Sequence, residues 1–174
     1  MKVALVGNPN TGKSTIFNAL TGLNQKVGNF PGVTVDKKTG KCHLPNGIHA
    51  EIIDLPGIYS LYPRSADEVI AFNVLCNPAG SSCPDIIVVV ADATNLKRNL
   101  LLFTQVADLN IPMILALNMK DLAEQLGIRI DVQEMSKRMG IAIVEMDGRN
   151  GIGIDSLKQA IVNNPGPIAA HFSI

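Results

Sequence analysis

The string Gly7-Asn8-Pro9-Asn10-Thr11-Gly12-Lys13-Ser14 constrains this chain more than any other feature, because it directly follows the apolar run Val3-Ala4-Leu5-Val6. The order is a buried strand, a glycine-framed turn, and a helix opening through Ser14-Thr15-Ile16-Phe17-Asn18-Ala19-Leu20. Such a G-x-x-x-x-G-K-S turn points backbone N–H groups inward at an anion, and the helix N-terminus adds partial positive charge. Lys13 is spaced to reach β- and γ-phosphates, and the Ser14 hydroxyl to ligate Mg²⁺. The pattern predicts that Gly7 to Thr15 cradle the phosphates of a nucleoside triphosphate. A chance glycine turn would need neither the strand before it nor the helix after it.

Composition narrows the setting. With 174 residues the chain suits one domain, and 47% apolar with 17% charged residues describes a globular protein. Lys plus Arg and Asp plus Glu are 15 each, a balance that calls for no nucleic-acid partner. The apolar runs Ile86 to Ala91 and Ile111 to Leu117 are strand-length, short of the roughly 20 residues of a membrane span. Asn8-Pro9-Asn10 interrupts any signal peptide. Cys42, Cys76 and Cys83 lack C-x-x-C spacing and read as reduced thiols.

Strand and helix signals alternate, as an α/β parallel sheet requires. Strands are expected at Lys2–Val6, Lys38–Leu44, His49–Asp54, Asp85–Ala91, Pro112–Leu117 and Ile141–Glu145, giving six. Helices are expected at Lys13–Thr21, Ala66–Cys76, Leu96–Leu109, Asp131–Met139 and Ile154–Val162, with a short turn near Leu122. Asn46-Gly47 is a hairpin signal that sets one antiparallel strand at the sheet edge. Gly22 to Asp36 lacks periodicity and reads as a mobile loop. Pro165-Gly166-Pro167 cannot continue the last helix, so residues 1–164 are expected to form the domain and 165–174 a tail. Ligands of such a sheet bind beyond the carboxyl ends of its strands.

Two further motifs fall at those ends. Asp54-Leu55-Pro56-Gly57 follows Ile52-Ile53 about forty residues after the phosphate loop. Its carboxylate is placed to hold Mg²⁺ through water, and the Gly57 N–H to face a γ-phosphate. Asn118-Met119-Lys120-Asp121 follows Met113–Leu117 and matches N-x-x-D. Asp121 can accept both N1–H and N2–H of guanine, a donor pair adenine lacks. Asn118 is expected to brace the phosphate loop. The three motifs together identify a P-loop GTPase, and Thr34 in Gly32-Val33-Thr34 then reads as the switch threonine that completes Mg²⁺ coordination. The expected fold is Ras-like.

Longer strings narrow the family. Gly7 to Gly22, Val27-Gly28-Asn29-Phe30-Pro31-Gly32-Val33-Thr34-Val35-Asp36-Lys37-Lys38 and Asp54-Leu55-Pro56-Gly57-Ile58-Tyr59-Ser60-Leu61 closely resemble the N-terminal G domain of ferrous iron transport protein B, over roughly residues 1–162. The resemblance implies a GTP/GDP-binding, Mg²⁺-dependent GTPase on the cytoplasmic face of the bacterial inner membrane, here as a soluble fragment. It implies partners in the transporter's own helical and transmembrane domains and leaves a homo-oligomer open. It implies K⁺-stimulated hydrolysis, with Asn10 ligating K⁺. Asn10, Lys13, Thr34 and Gly57 are the catalytic group that follows, and Ser14, Thr34 and Asp54 hold Mg²⁺.

Three departures carry expectations. Ile58 stands where many GTPases place a water-orienting glutamine, which predicts slow intrinsic turnover. Met119 replaces the usual lysine and offers an apolar contact to the base. Asp147-Gly148, after Met146, stand where the last guanine motif usually reads Ser-Ala; the glycine loosens the loop and Asp147 puts negative charge near an acceptor of the base, which predicts weaker nucleotide binding and faster GDP release. His43 and His49 read as hairpin surface residues, and Cys42 beside His43 as a poor ligand pair, since neighbours on a strand face opposite ways. Arg64 and Asp67-Glu68 are as consistent with a solvated helix start as with signalling. A translation- or tRNA-linked GTPase and a non-catalytic nucleotide sensor are the rival readings.

Overall fold

A computed structural model describes residues 1–23, 25–30, 34–77 and 83–164. In chain order the elements are β1 (Lys2–Gly7), α1 (Lys13–Thr21), β2 (Gln25–Asn29), β3 (Asp36–His43), β4 (His49–Asp54), α2 (Ala66–Leu75), β5 (Ile86–Asp92), α3 (Leu96–Ala107), β6 (Met113–Asn118), α4 (Lys120–Gln125), α5 (Val132–Met139), β7 (Ala142–Glu145) and α6 (Ile154–Val162).

The central strands are apolar on both faces, and both faces are covered. Val3 to Val6 and Ile87 to Ala91 are each at most 1% exposed. Successive side chains alternate between two cores, as strand geometry demands. Val3, Leu5, Val88 and Val90 pack with Ile16 and Phe17 of α1 and Leu157 and Ile161 of α6. Ala4, Val6, Ile87 and Val89 pack with Ile70 and Val74 of α2 and Leu102 and Phe103 of α3. Phe17 and Phe103 anchor opposite layers, and burying each contributes about 2–3 kcal/mol. Among the described residues no helix is long and apolar enough to cross a membrane.

The sheet has seven strands, ordered β2-β3-β4-β1-β5-β6-β7, where the sequence predicts six. The extra strand is β2, inside the stretch expected to be a loop. All five of its residues are exposed, so it carries no apolar alternation, and its backbone pairs with β3 from Gln25↔Gly40 to Asn29↔Asp36. Consequently β3 is interior, and the antiparallel margin is two strands wide. The turn between β3 and β4 agrees with its Asn-Gly signal: Asn46 and Gly47 have φ of 62° and 72°, the pair of positive values a type I′ turn needs. The turn expected near Leu122 is the six-residue helix α4. Helix α3 stops at Ala107, short of Leu109, because the last amides tighten onto i−3 carbonyls and Asn110 turns left-handed at φ 55°.

Parallel register sets the functional ends side by side. Leu5 of β1 pairs with Asp54 of β4, Gly7 with Val90 of β5, Asp92 with Asn118 of β6, and Leu117 with Glu145 of β7. Loops leaving β1, β4, β6 and β7 therefore emerge along one edge.

Candidate functional site

Gly7 closes β1, and the turn through Gly12 delivers the chain into α1. Gly12 sits at φ 83°, and a Cβ there would lie 2.2 Å from Asn118 Nδ2, so this position accepts no side chain. Lys13 and Asp54 form a buried ion pair, 9% and 7% exposed. The Ser14 hydroxyl donates to the other Asp54 oxygen at 3.4 Å. A hydroxyl and a carboxylate this close are a donor set suited to a hard divalent cation. Gly57 packs on the loop from the far side, where a Cβ would meet Pro9 Cα at 3.0 Å. Asn8 is 4% exposed, and its Oδ1 is a buried acceptor with no partner among the described residues.

Asn118 is the brace between this turn and the remainder. Its Nδ2 donates to the Thr11 carbonyl at 2.9 Å, and its Oδ1 accepts the Gly148 N–H at 3.0 Å. One buried amide thus ties loops 107 and 30 residues away in sequence. Met119 adopts φ 62° and caps α4, which sets Asp121 in its first turn, exposed.

Two hollows meet here. One of about 480 Å³ is lined by Asn8, Pro9, Lys13, Ser14, Gly57 and Asp67, and a second of about 520 Å³ by Asn118, Met119, Asp121, Asp147, Gly148 and Arg149. Asn10, Gly12 and Thr15 line both, so the two form one trough. A trough with a cationic, amide-rich end and an end carrying an acceptor carboxylate matches the two ends of a guanine nucleotide. Asn10 stands at the junction, exposed, in the left-handed region at φ 65°.

Other candidates lie apart. Thr34 is exposed in the short connection between β2 and β3 and lines neither hollow. Gly32 and Val33 lie outside the described residues, as does the tail from Pro165 onward. Leu55 and Met146 are buried in the two cores, at 1% exposed each, and neither they nor Pro56 line either hollow. Lys120 turns away from the trough to Glu145 at 3.1 Å and Glu124 at 3.8 Å. Ile58 is 1% exposed and packs in the core with Leu61.

The loop after β7 is closed on itself. The Asp147 carboxylate accepts from the Asn150 side-chain amide, from Arg149 N–H at 3.2 Å and from Asn150 N–H at 3.3 Å. The Asn150 amide above all, with these backbone donors and the Arg149 charge, holds the Asp147 carboxyl below the usual carboxylate range. The amides of Gly148, Arg149 and Asn150 all have intramolecular acceptors.

Elsewhere, Cys42 is buried on one face of β3 while His43 pairs edge-to-face with His49 on the other, ring centroids 4.7 Å apart. Burial pushes the Cys42 thiol up, and the Lys158 charge partly offsets it. Among the described residues no three His, Cys, Asp or Glu side chains gather as a metal site. Gln105, given no role from the sequence, accepts from Ser60 and Leu61 just beyond Gly57.

Comparison with known proteins agrees with this architecture. Residues 1–161 match the family model for ferrous iron transport protein B. The Fe(2+) transporters FeoB of Leptospira biflexa and Salmonella typhimurium are each 44% identical, over 90% and 92% of this chain. The chain spans about a fifth of the length of those relatives, 22% and 21%. The cytosolic domain of L. pneumophila FeoB superposes with a TM-score of 0.86 at 44% identity, over 93% of this chain and 67% of that one. The T. maritima FeoB G domain gives 0.83 at 40% identity, over 93% and 96%. A GDP-bound S. thermophilus NFeoB mutant gives 0.84 at 42% identity, over 92% and 61%. With the sheet, the trough and these matches agreeing, the chain belongs to the ferrous iron transport protein B family as a G domain of P-loop GTPase fold.

Proposed function

We propose that this domain binds GTP and hydrolyses it to GDP and phosphate, and that it regulates Fe²⁺ uptake by a membrane region of a longer protein. Residues 1–164 are the catalytic unit in this reading, and 165–174 lead toward helical and transmembrane partners at the cytoplasmic face of the membrane. The observation that carries it is Asn118, which joins the Thr11 carbonyl to the Gly148 amide and so fixes the phosphate end and the base end as one trough. The GDP seen in the S. thermophilus relative supports the same occupant here.

Lys13 and the amides of Gly7 to Thr15 hold the β/γ-phosphates and stabilise the charge that develops as the γ-phosphoryl leaves. Ser14 and Asp54 supply oxygens for Mg²⁺, with Thr34 completing the set once its loop reaches the γ-phosphate. A Mg²⁺ held by these oxygens would supply positive charge to offset that of the phosphates. Lys13 and Asp54 pair with each other in this structure, and a polyphosphate with its cation offers each a replacement of the right sign. Asn10, at the junction of the hollows, is the ligand for K⁺. Gly57 senses the γ-phosphate through its N–H. Asp121 selects guanine, and Met119 covers the ring. Ile58 is buried in the core and cannot orient water, so intrinsic turnover is slow.

Calorimetry with Mg²⁺ tests the binding half: GTP and GDP bind and ATP does not. Single-turnover hydrolysis in KCl against NaCl tests the catalytic half, with faster turnover in KCl expected. Equal capture of GTP and ATP, or no hydrolysis in either salt, would remove the proposal.

A further inference from the structure

The segment just past Gly57 is held at both ends, and the chemistry above uses only one of them. At the near end, Leu55 N–H donates to Leu5 O at 3.2 Å and Ile58 N–H to Gly7 O at 3.1 Å. Gly57 itself lies against Pro9 of the phosphate turn. At the far end the anchor is a single side chain of α3. Gln105 Oε1 accepts the Leu61 N–H at 2.8 Å and the Ser60 hydroxyl at 3.1 Å. Ser60 Oγ in turn accepts the Tyr62 N–H at 3.0 Å. One helical acceptor therefore organises Ser60, Leu61 and Tyr62.

A second α3 residue supports it. Arg98 lies two helical turns before Gln105, on the same face, and its guanidinium sits 4.4 Å from the centroid of the Tyr59 ring. Ile58 and Leu61 are buried at 1% and 6% exposed, so the segment is also pinned by its side chains. Only Tyr59 separates the backbone anchor at Ile58 from the Gln105 anchor at Ser60. So little slack means that a change in the Gly57 peptide is felt at Gln105, and the reverse.

We infer that Gln105 is a positioning residue for the γ-phosphate contact: the two bonds it accepts, seconded by Arg98 over Tyr59, fix the path of residues 58–62 and with it the aim of the Gly57 N–H. The inference rests on the reading of Gly57 as the γ-phosphate sensor. Among the described residues Gln105 acts only as an acceptor, which gives a clean pair of variants. Gln105→Met keeps length and volume without the acceptor, and Gln105→Glu keeps the acceptor.

The test has two arms on the 174-residue chain. Without nucleotide, amide exchange at Leu61, followed by NMR, is about tenfold faster in Gln105→Met and near wild type in Gln105→Glu. With Mg²⁺ and GTP, single-turnover hydrolysis falls about fivefold in Gln105→Met, while GDP affinity stays within about twofold and Gln105→Glu restores the rate. Unchanged exchange overturns the anchor. Faster exchange with unchanged hydrolysis overturns the positioning role, and so does a loss of GDP affinity equal to the loss of rate, which marks a merely structural residue. A wild-type chain that hydrolyses no GTP overturns the function and the positioning role together, while the exchange arm still reports whether Gln105 holds the segment.

Discussion

The two ends of the trough are built in opposite ways. At the phosphate end three groups are held by distant parts of the chain: Lys13 by Asp54, Thr11 by Asn118, Pro9 by Gly57. At the base end the loop after β7 takes one distant bond, from Gly148 N–H to Asn118, and otherwise closes on itself, through Asp147 to Arg149 and Asn150 and through the paired Asp147 and Ile152 backbones. Pre-organisation therefore resides mainly at the phosphate end. A cradle braced from neighbouring strands presents its backbone amides without rearrangement and exchanges only the Lys13–Asp54 pair, whereas a loop closed on itself must open its own bonds before its amides can meet a base.

Removing the base-end carboxylate has the largest expected effect. Asp121 is exposed on the first turn of α4, and its carboxylate makes no hydrogen bond or ion pair among the described residues. Asp121→Ala should therefore leave folding intact and collapse the preference for GTP over ATP, which a hydrogen-bonded site sets at roughly 10⁴-fold. Competition calorimetry reads it directly. A preference that survives would shift base selection onto the loop after β7 and blur the contrast between the ends.

Next is the phosphate end. Lys13→Ala removes the polyphosphate's partner and leaves the buried Asp54 carboxylate uncompensated, a change that costs about 3–5 kcal/mol when a buried pair is broken. Thermal unfolding without nucleotide should show the loss, and Lys13→Ala with Asp54→Leu should recover most of it. Equal stability of wild type and single variant would mean the pair is not integral to the cradle. Asn10 has a smaller expected effect. Asn10→Ala should erase the difference between KCl and NaCl in single-turnover hydrolysis, a difference of about tenfold if a monovalent cation replaces part of an oxyanion-type contact. Matching salt responses in both proteins would dispose of the K⁺ site.

What the sequence revealed follows the same division. The phosphate turn, D-x-x-G and N-x-x-D were legible because each is a contiguous string that carries its own binding groups, and the register that brings Asp54 and Asn118 beside β1 and β5 follows from buried parallel strands. Strand β2 was not legible, since five exposed residues paired through their backbone leave no mark on side-chain pattern. Gln105 was invisible for another reason: its partners are 44 and 45 residues away and the residue itself is one polar position on an amphipathic helix. Asp147 did carry a signal. An aspartate followed by Gly-Arg-Asn is a local turn former whose carboxylate reaches amides two and three residues on. Its carboxylate, expected from the sequence to put negative charge near the base, is bonded within the loop while the residue lines the base-end hollow.

That fold-back makes the last prediction the most discriminating one. If the Asp147 carboxylate competes with guanine for the Arg149 and Asn150 amides, a weaker acceptor should free them. Asp147→Ser is then expected to slow GDP dissociation about fivefold, the effect of one competing hydrogen bond. The single substitution is preferable to pairing it with Gly148→Ala, because a Cβ at Gly148 would press on Ile16 Cγ1 at 3.3 Å and disturb α1. The pH dependence separates competition from simple loop loosening. The folded-state pKa of Asp147 is depressed, so the loop's closure is fully present above the ordinary carboxylate range and is lost only as pH falls below it. Stopped-flow GDP release should therefore stay flat from neutral pH down to that range in wild type, then slow as the carboxylate protonates and releases its amides. The serine variant has no such carboxylate and should show no inflection. Faster release on acidification in wild type would mean that Asp147 supports the bound base rather than competing with it.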